Sequence, residues 1–323
     1  MCHIWQTRDD AHQESTMEQK KAFVKSLRGL VGPGFEFHLS GGEPLLTEGI
    51  MDLVDFIAGE GYRTNIVTNG FLIDETMARR IAHSRLDTLT LSVDGMTAET
   101  HDSLRGMPGS HARIMQAIDY LDTFRPLAGT GPLAGTGPLA GTGPKISVLT
   151  VIMGRNLDEI PSLVEWVQQD GRLEMISFQA ITQPFGEAMD NEWFLKETHQ
   201  VLWPQDIQKA SRIMEQLSDL RRRGYKIGNH PNHFLHFREY FKDPHTFLKK
   251  IKCNLGDYEF HVDPYGKTFF CCLTDPIGNI KTERLGDIWG SAWAQKIRQN
   301  VYNCKKNCHI MINCFYEDES ILA

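Results

Sequence analysis

The strongest constraint on this chain is an alternation of amphipathic helical segments with short β-branched runs through its first two-thirds. Residues 17–31 carry Phe23, Val24, Leu27, Leu30 and Val31 at helical spacing. Gly32-Pro33-Gly34 breaks that period, and residues 35–39 read as a strand. The pattern then repeats: helices over 49–58, 74–82, 112–124 and 157–169 are followed by strands over 64–67, 88–93, 146–152 and 175–180. A long helix over 205–223 and a candidate short strand at 225–227 close the series. Such alternation predicts an α/β fold with a parallel sheet and helices outside it, either doubly wound or a barrel. Spacing between units is uneven, which argues against a solenoid. One true repeat is present: Pro-Leu-Ala-Gly-Thr-Gly occurs three times within residues 126–143. Its glycine and proline content makes 126–144 an expanded surface loop between a helix and a strand.

Beyond residue 245 the pattern changes, which sets a boundary between segments 1–244 and 245–323. Residues 258–262 and 268–271 alternate around the turn Asp263-Pro264-Tyr265-Gly266 and predict a hairpin. A helix carrying Trp289 and Trp293 is expected over 285–301. Six of the seven cysteines fall here: Cys253, Cys271, Cys272, Cys304, Cys308 and Cys314, with Cys2 the exception. The start of the chain lacks the features of a secretory signal, and no apolar run reaches membrane-spanning length. A cytoplasmic setting follows as the expectation, and there a cysteine cluster reads as metal ligation rather than a disulfide framework. The net charge of −7 gives no support for nucleic-acid or anionic-membrane binding. The densest basic spot, Arg221-Arg222-Arg223, sits late in a helix, where cations suit the helix dipole.

Parallel α/β folds place their sites at the C-terminal ends of strands. Three strands here run directly into polar, glycine-bearing turns: Ser40-Gly41-Gly42-Glu43-Pro44, Thr68-Asn69-Gly70 and Asp94-Gly95. Paired glycines let a ligand approach the backbone, and Glu43 can accept from a cationic group. Each turn alone needs no ligand to explain it; three in succession point to a common pocket. A nucleotide-phosphate loop is the weaker explanation, since no GxGxxG sequence occurs and the one Gly-Lys-Thr, residues 266–268, has His261 where such a loop needs its first glycine.

With these motifs in order, the chain resembles the radical SAM superfamily from Cys2 to about Gln179. Cys2-His3-Ile4-Trp5 is similar to the end of that family's cysteine loop, and Ser40-Gly41-Gly42-Glu43-Pro44 to the motif that meets the methionine amino group. Leu91-Ser92-Val93-Asp94-Gly95, with His101-Asp102 and Leu104-Arg105-Gly106, is similar to the segment that approaches ribose and carboxylate. The resemblance implies a partial (β/α)6 TIM-like barrel, here lacking its first strand. It implies a [4Fe–4S] cluster held by a CxxxCxxC loop, with S-adenosylmethionine chelating the open iron. It implies reductive cleavage to a 5′-deoxyadenosyl radical in an oxygen-sensitive enzyme. Gly41, Gly42, Glu43, Asn69, Ser92, Asp94 and Arg105 are the cofactor-binding residues it assigns. A substrate that is a small molecule or a peptide, and an electron donor such as flavodoxin or ferredoxin, are the partners it implies.

The C-terminal cysteines resemble a SPASM or twitch domain, which makes 245–323 a small cysteine-rich α+β unit. The resemblance implies one auxiliary [4Fe–4S] cluster on Cys253, Cys271, Cys304 and Cys308, with Cys314 as a substitute for one of them. By spacing alone, a structural Zn²⁺ on the same thiolates is an equal alternative. The chain begins at what corresponds to the third cysteine of the barrel loop, and Cys2 alone supplies one thiolate of the three needed. The expectation is therefore a chain inactive as written, with a non-catalytic barrel bearing a metal-binding tail as the alternative. His230, His233 and His236 would fan over about 120° of a helix, too wide for an obvious metal face. Trp193, Phe194 and Trp203 are expected to pack rather than to line a pocket.

Overall fold

The computed structural model describes residues 14–32, 34–126, 143–184, 188, 190–245, 253, 255–258, 260–304 and 312–313. Five strands, β1 (Glu36–Leu39), β2 (Arg63–Thr68), β3 (Thr88–Ser92), β4 (Lys145–Ile152) and β5 (Met175–Ala180), form one sheet in chain order. Every pairing within it is parallel. Between the strands lie α2 (Ile50–Gly59), α3 (Glu75–Ala82), α4 (Ala98–Arg105), α5 (Ser110–Thr123) and α6 (Ile160–Gln169), with α1 (Met17–Ser26) before β1. After β5 come α7 (Glu197–Gln200), α8 (Ile207–Arg222) and α9 (Pro231–Lys242). Strand order that follows chain order, with a helical crossover at each step, is the progression of a barrel rather than of a doubly wound sheet, whose order reverses.

The register separates two faces. Rows such as Leu39–Ile66–Leu89–Ile146 and Thr68–Leu91–Val148–Ile176 point to one side. That side joins Val54 and Ile57 of α2, Ile81 of α3, Ile118 of α5 and Val164 of α6 in the main core. The opposite face carries His38, Asn65, Thr90, Ser92, Ser147, Ser177 and Gln179. Val67, Leu149, Val151 and Met175 share this inner face, and such a mixture of apolar and polar groups below polar strand ends suits a ligand-holding barrel.

Beyond β5, Ile176 N–H donates to Lys226 O and Gly228 N–H donates to Ile176 O, so the expected strand at 225–227 reduces to a bridge between Ile176 and Ile227. The next positions along this edge are completed by side chains. Asn229 pairs both backbone groups of Phe178, at 2.7 and 2.9 Å, and Asn313 pairs both of Ala180, at 2.8 and 2.9 Å. Each amide offers one acceptor and one donor, as a neighbouring strand would.

The C-terminal unit contains α10 (Leu255–Tyr258), an antiparallel sheet of β6 (His261–Val262), β7 (Lys267–Phe269) and β8 (Gly278–Asn279), and helices α11 (Leu285–Gly290) and α12 (Ala292–Tyr302). Leu255, Phe270, Ile277, Ile288, Ala294, Ile297 and Val301 form its own small core. It meets the barrel beside β1: Phe260 lies against Phe23 and Phe35, and Ser15 N–H donates to Pro264 O at 2.7 Å. No helix among the described residues is long and apolar enough to cross a membrane.

Some sequence expectations differ from the structure. Helix α1 ends at Ser26, whose hydroxyl donates back to Phe23 O, and Leu30 is left exposed beyond it. The single helix expected at 285–301 is broken at Ser291, which ends α11 and whose hydroxyl caps α12 through Ala294 N–H. Helix α9 starts at Pro231, since proline at the first helical position lacks only a donor that would have no partner there anyway. Helix α4 was not foreseen; its eight residues are polar and bury only His101 and Leu104.

Candidate active site

The first strand end opens outward. Gly41 has φ +132°, a conformation that disfavours any side chain, and nothing lies within 4 Å of where a Cβ would sit on Gly41 or Gly42. Glu43 leaves this loop and ties it to the second strand end. Its Oε1 accepts from Thr68 Oγ1 at 2.6 Å and from Leu45 N–H at 3.1 Å, and its Oε2 accepts from Asn69 N–H at 2.9 Å. The carboxylate is fixed by these protein donors and retains accepting capacity on Oε2. Asn69 turns its own Oδ1 to Phe71 N–H at 2.8 Å, which shapes the Thr68-Asn69-Gly70 turn.

The third strand end is a buried electrostatic knot. Asp94 is fully buried, with Oδ2 2.8 Å from Arg105 Nη2 and Oδ1 accepting from Val151 N–H at 2.9 Å. Burial pushes its carboxyl upward, while Arg105 and the Val151 N–H pull the other way. Arg105 sits at the last residue of α4, and its Nε is buried without a hydrogen-bond partner among the described residues. Ser92 ends β3 on the polar face, mostly buried.

Helix α4 decodes the motif that follows. His101 faces inward and accepts the Asp94 N–H on Nδ1 at 3.1 Å. Burial, then the nearby charge of Arg105, lowers its pKa from 6.5 to about 4, so the ring is neutral. Asp102 faces the other way and caps α5, accepting from Gly109 N–H, His111 N–H and Ser110 Oγ. Gly95 is required by packing rather than by ligand approach: a Cβ there would lie 2.7 Å from His101 N and 2.9 Å from Thr100 Cβ. Three supporting residues escaped sequence reasoning. Asn156 Nδ2 donates to the Asp94 and Val151 carbonyls, Thr150 Oγ1 donates to Val93 O, and Glu159 accepts from Met96 N–H, Thr97 N–H and the hydroxyls of Thr97 and Thr100. Nothing in a lone Thr within the fourth strand, or a lone Asn or Glu after it, signals that it bonds back to the third.

Among the C-terminal thiols, Cys253 and Cys271 pack against the small core, while Cys304 follows α12 and is exposed. Leu273 N–H donates to Cys271 Sγ at 3.4 Å. Cys2, Cys308 and Cys314 lie outside the described residues, as does the repeat loop apart from its ends. Among the described residues no three His, Cys, Asp or Glu side chains gather as a metal site, the three α9-region histidines included. Trp193 and Trp203 are buried and pack edge to face with centroids 5.7 Å apart, as expected of core residues.

A partial barrel with polar strand-end loops and a cysteine-bearing appendage defines the class of molecule. Residues 1–124 match the model of the radical SAM superfamily, and residues 253–314 match SPASM, an iron–sulfur cluster-binding domain. The chain belongs to the radical SAM superfamily and is an enzyme with a C-terminal SPASM domain. It is 25% identical over 307 residues to the AdoMet-dependent heme synthase of Methanosarcina barkeri, covering 92% of this chain and 79% of that one. It is 23% identical over 274 residues to the PqqA peptide cyclase of Granulibacter bethesdensis, covering 81% of this chain and 63% of that one. Streptococcus suis SuiB bound to the precursor peptide SuiA shares the fold at a TM-score of 0.61 and 14% identity, over 93% of this chain and 64% of that one. The chain thus spans under two thirds of the cyclase and of SuiB.

Membership implies a [4Fe–4S] cluster with S-adenosylmethionine in the barrel and an auxiliary iron–sulfur cluster in the appendage, which separates iron–sulfur from zinc where spacing alone did not. The strand ends fit S-adenosylmethionine: open backbone at Gly41 and Gly42, an acceptor at Glu43 and an Arg105 Nε without a partner among the described residues suit a zwitterion with amino and carboxylate groups, while for the barrel cluster this sequence offers Cys2, one thiolate of the three needed. The Cys271 sulfur, accepting an N–H, has the donor set of a cluster thiolate.

Proposed function

We propose that Gly41, Gly42, Glu43, Asn69, Ser92, Asp94 and Arg105 form the S-adenosylmethionine site of this enzyme, and that it modifies a peptide or protein. The observation that carries the first part is the placement of an open glycine loop, an anchored carboxylate and a half-satisfied guanidinium on three consecutive strand ends. When bound, the cofactors supply one-electron cleavage of the sulfonium and hydrogen-atom abstraction from a substrate. The chain's own task is positioning. Gly41 and Gly42 leave backbone groups open for the amino end, and Glu43, immobilised by three donors, accepts from it without reorganising. Arg105 receives the carboxylate through Nε while Asp94 holds its Nη2, and His101, Asn156 and Val151 hold Asp94. Cys253, Cys271, Cys304 and Cys308 or Cys314 hold the auxiliary cluster in a unit beginning near residue 245. Cys2 contributes to the barrel cluster, a flavodoxin- or ferredoxin-like donor delivers the electron, and a reducing cytoplasm keeps the thiols as ligands.

Two things support a peptide substrate: the row of polar groups on the inner face running from His38 through Asn65 and Thr90 to Ser177 and Gln179, and the likeness to the PqqA peptide cyclase. Calorimetry of S-adenosylmethionine binding to the anaerobically reconstituted protein tests the site. Arg105→Ala is expected to weaken binding at least tenfold, since a charge-assisted contact is lost and Asp94 is left buried without its cation. Unchanged affinity would remove Arg105 from the site. Calorimetry offering short peptides and iron porphyrins side by side tests the substrate class without requiring turnover; binding of the porphyrin alone would overturn the peptide reading.

A further inference from the structure

The small C-terminal core is built around a cation. Arg298 of α12 lays its guanidinium 4.4 Å from the ring centroid of Phe270 and 4.6 Å from that of Trp289. Its Nε donates to Gly256 O at 3.2 Å. A Cβ on Gly256 would lie 2.9 Å from Arg298 Cγ, so the α10 backbone rests directly on this side chain. Nη2 is buried with no hydrogen-bond acceptor among the described residues. The groups that hold the cation border the cysteines. Phe270 immediately precedes Cys271, Gly256 follows Cys253 by three positions, and Arg298 itself lies six positions before Cys304. Cys253 and Cys271 pack against the same core.

A buried guanidinium nitrogen without an acceptor is costly unless an anion is supplied. A cluster held by four thiolates carries net negative charge, and its potential responds to nearby charge and to hydrogen bonds on its sulfurs. We infer that Arg298 is a positioning residue for the auxiliary cluster: its guanidinium is the fixed counter-charge of the thiolates at Cys253 and Cys271. This rests on reading those cysteines as cluster ligands. Arginine suits the role because it stays charged, is weakly hydrated and stacks on aromatic faces, all of which this core exploits. A fixed cation favours the reduced, more negative cluster, so its removal must make reduction harder.

The test is a redox titration followed by electron paramagnetic resonance on the reconstituted full chain carrying Cys2→Ala, so that only the C-terminal cluster reports. Arg298→Gln is expected to shift the reduced-to-oxidised ratio at least tenfold toward the oxidised state, about 59 mV for a one-electron couple. Arg298→Lys, which keeps the charge, is expected to stay close to the parent. An Arg298→Gln cluster with parental potential overturns the inference. Should Arg298→Gln fail to hold iron, retention of the cluster at parental potential by Arg298→Lys supports the counter-charge role. Loss of iron in both variants assigns Arg298 to packing and overturns it. If the parent itself binds no C-terminal iron, the cluster reading of the cysteines fails first, an outcome distinct from the others.

Discussion

At the scale of residues, the proposed site rests on the groups that hold Asp94 and Arg105 in place. His101 is neutral because it is buried beside Arg105, and its pKa of about 4 lies below the 6.5 of a free imidazole. Between those values the unfolded chain binds the extra proton, so this contribution is complete above about pH 6.5 and is lost as pH falls toward 4. The full difference corresponds to about 3–3.5 kcal/mol at most. His236, lowered to about 4 chiefly by burial, adds to the same slope. Urea unfolding at pH 7, 5.5 and 4.5 should show stability falling with pH. His101→Gln, which keeps an acceptor for the Asp94 N–H but does not titrate, should flatten part of the fall. An unchanged slope would place the titration elsewhere. Gly95 makes a sharper demand, since Gly95→Ala drives a Cβ into the backbone of α4. A loss of about 1–3 kcal/mol is expected in thermal or chemical unfolding, accompanied by weaker S-adenosylmethionine binding as Arg105 moves with the helix.

At the scale of elements, the free edge of β5 is closed by two asparagines from distant parts of the chain. Sheet edges left open recruit strands from other molecules, and here side-chain amides occupy the positions a strand would take. Asn313→Ala removes two hydrogen bonds and leaves Ala180 N–H and C=O unsatisfied, at a cost of about 1–3 kcal/mol. Hydrogen exchange at Ala180 should accelerate while Ile176, paired with backbone, keeps its protection. Equal protection at both would show that the amide is dispensable. Asn313 immediately precedes Cys314, so the same variant should loosen the C-terminal segment from the barrel. The strands and most helices were legible because buried apolar positions recur with the right period, and Met175–Ala180 falls where the alternation predicted it. Helix α4 was not legible, because its stabilising contacts lie at its ends: Thr97 caps its start, Glu159 clasps that cap, and Arg105 closes the far end on Asp94.

At the scale of the whole molecule, two cores of unequal size share one chain. Among the described residues the C-terminal core gathers seven buried hydrophobic residues, few for a unit expected to stand without support. Units of this size commonly rely on metal ligation for their stability. Removing iron with a chelator under reducing conditions should therefore raise hydrogen exchange across β6–β8 and α12 and leave β2–β4 protected. Uniform loss of protection would indicate one cooperative unit instead. The sequence by itself determined the parallel βα order, the polar strand ends, the cysteine-rich tail and the superfamily, because periodicity and local motifs are written in neighbouring residues. Tertiary structure alone decided which charges meet: that Asp94 is held by Arg105, His101 and Asn156, that Glu43 is tied to the second strand end, and that Arg298 is held between Phe270 and Trp289 in the small core. Those pairings depend on distance in space and on burial, which turns a modest charge into a strong one, and neither can be read from order along the chain.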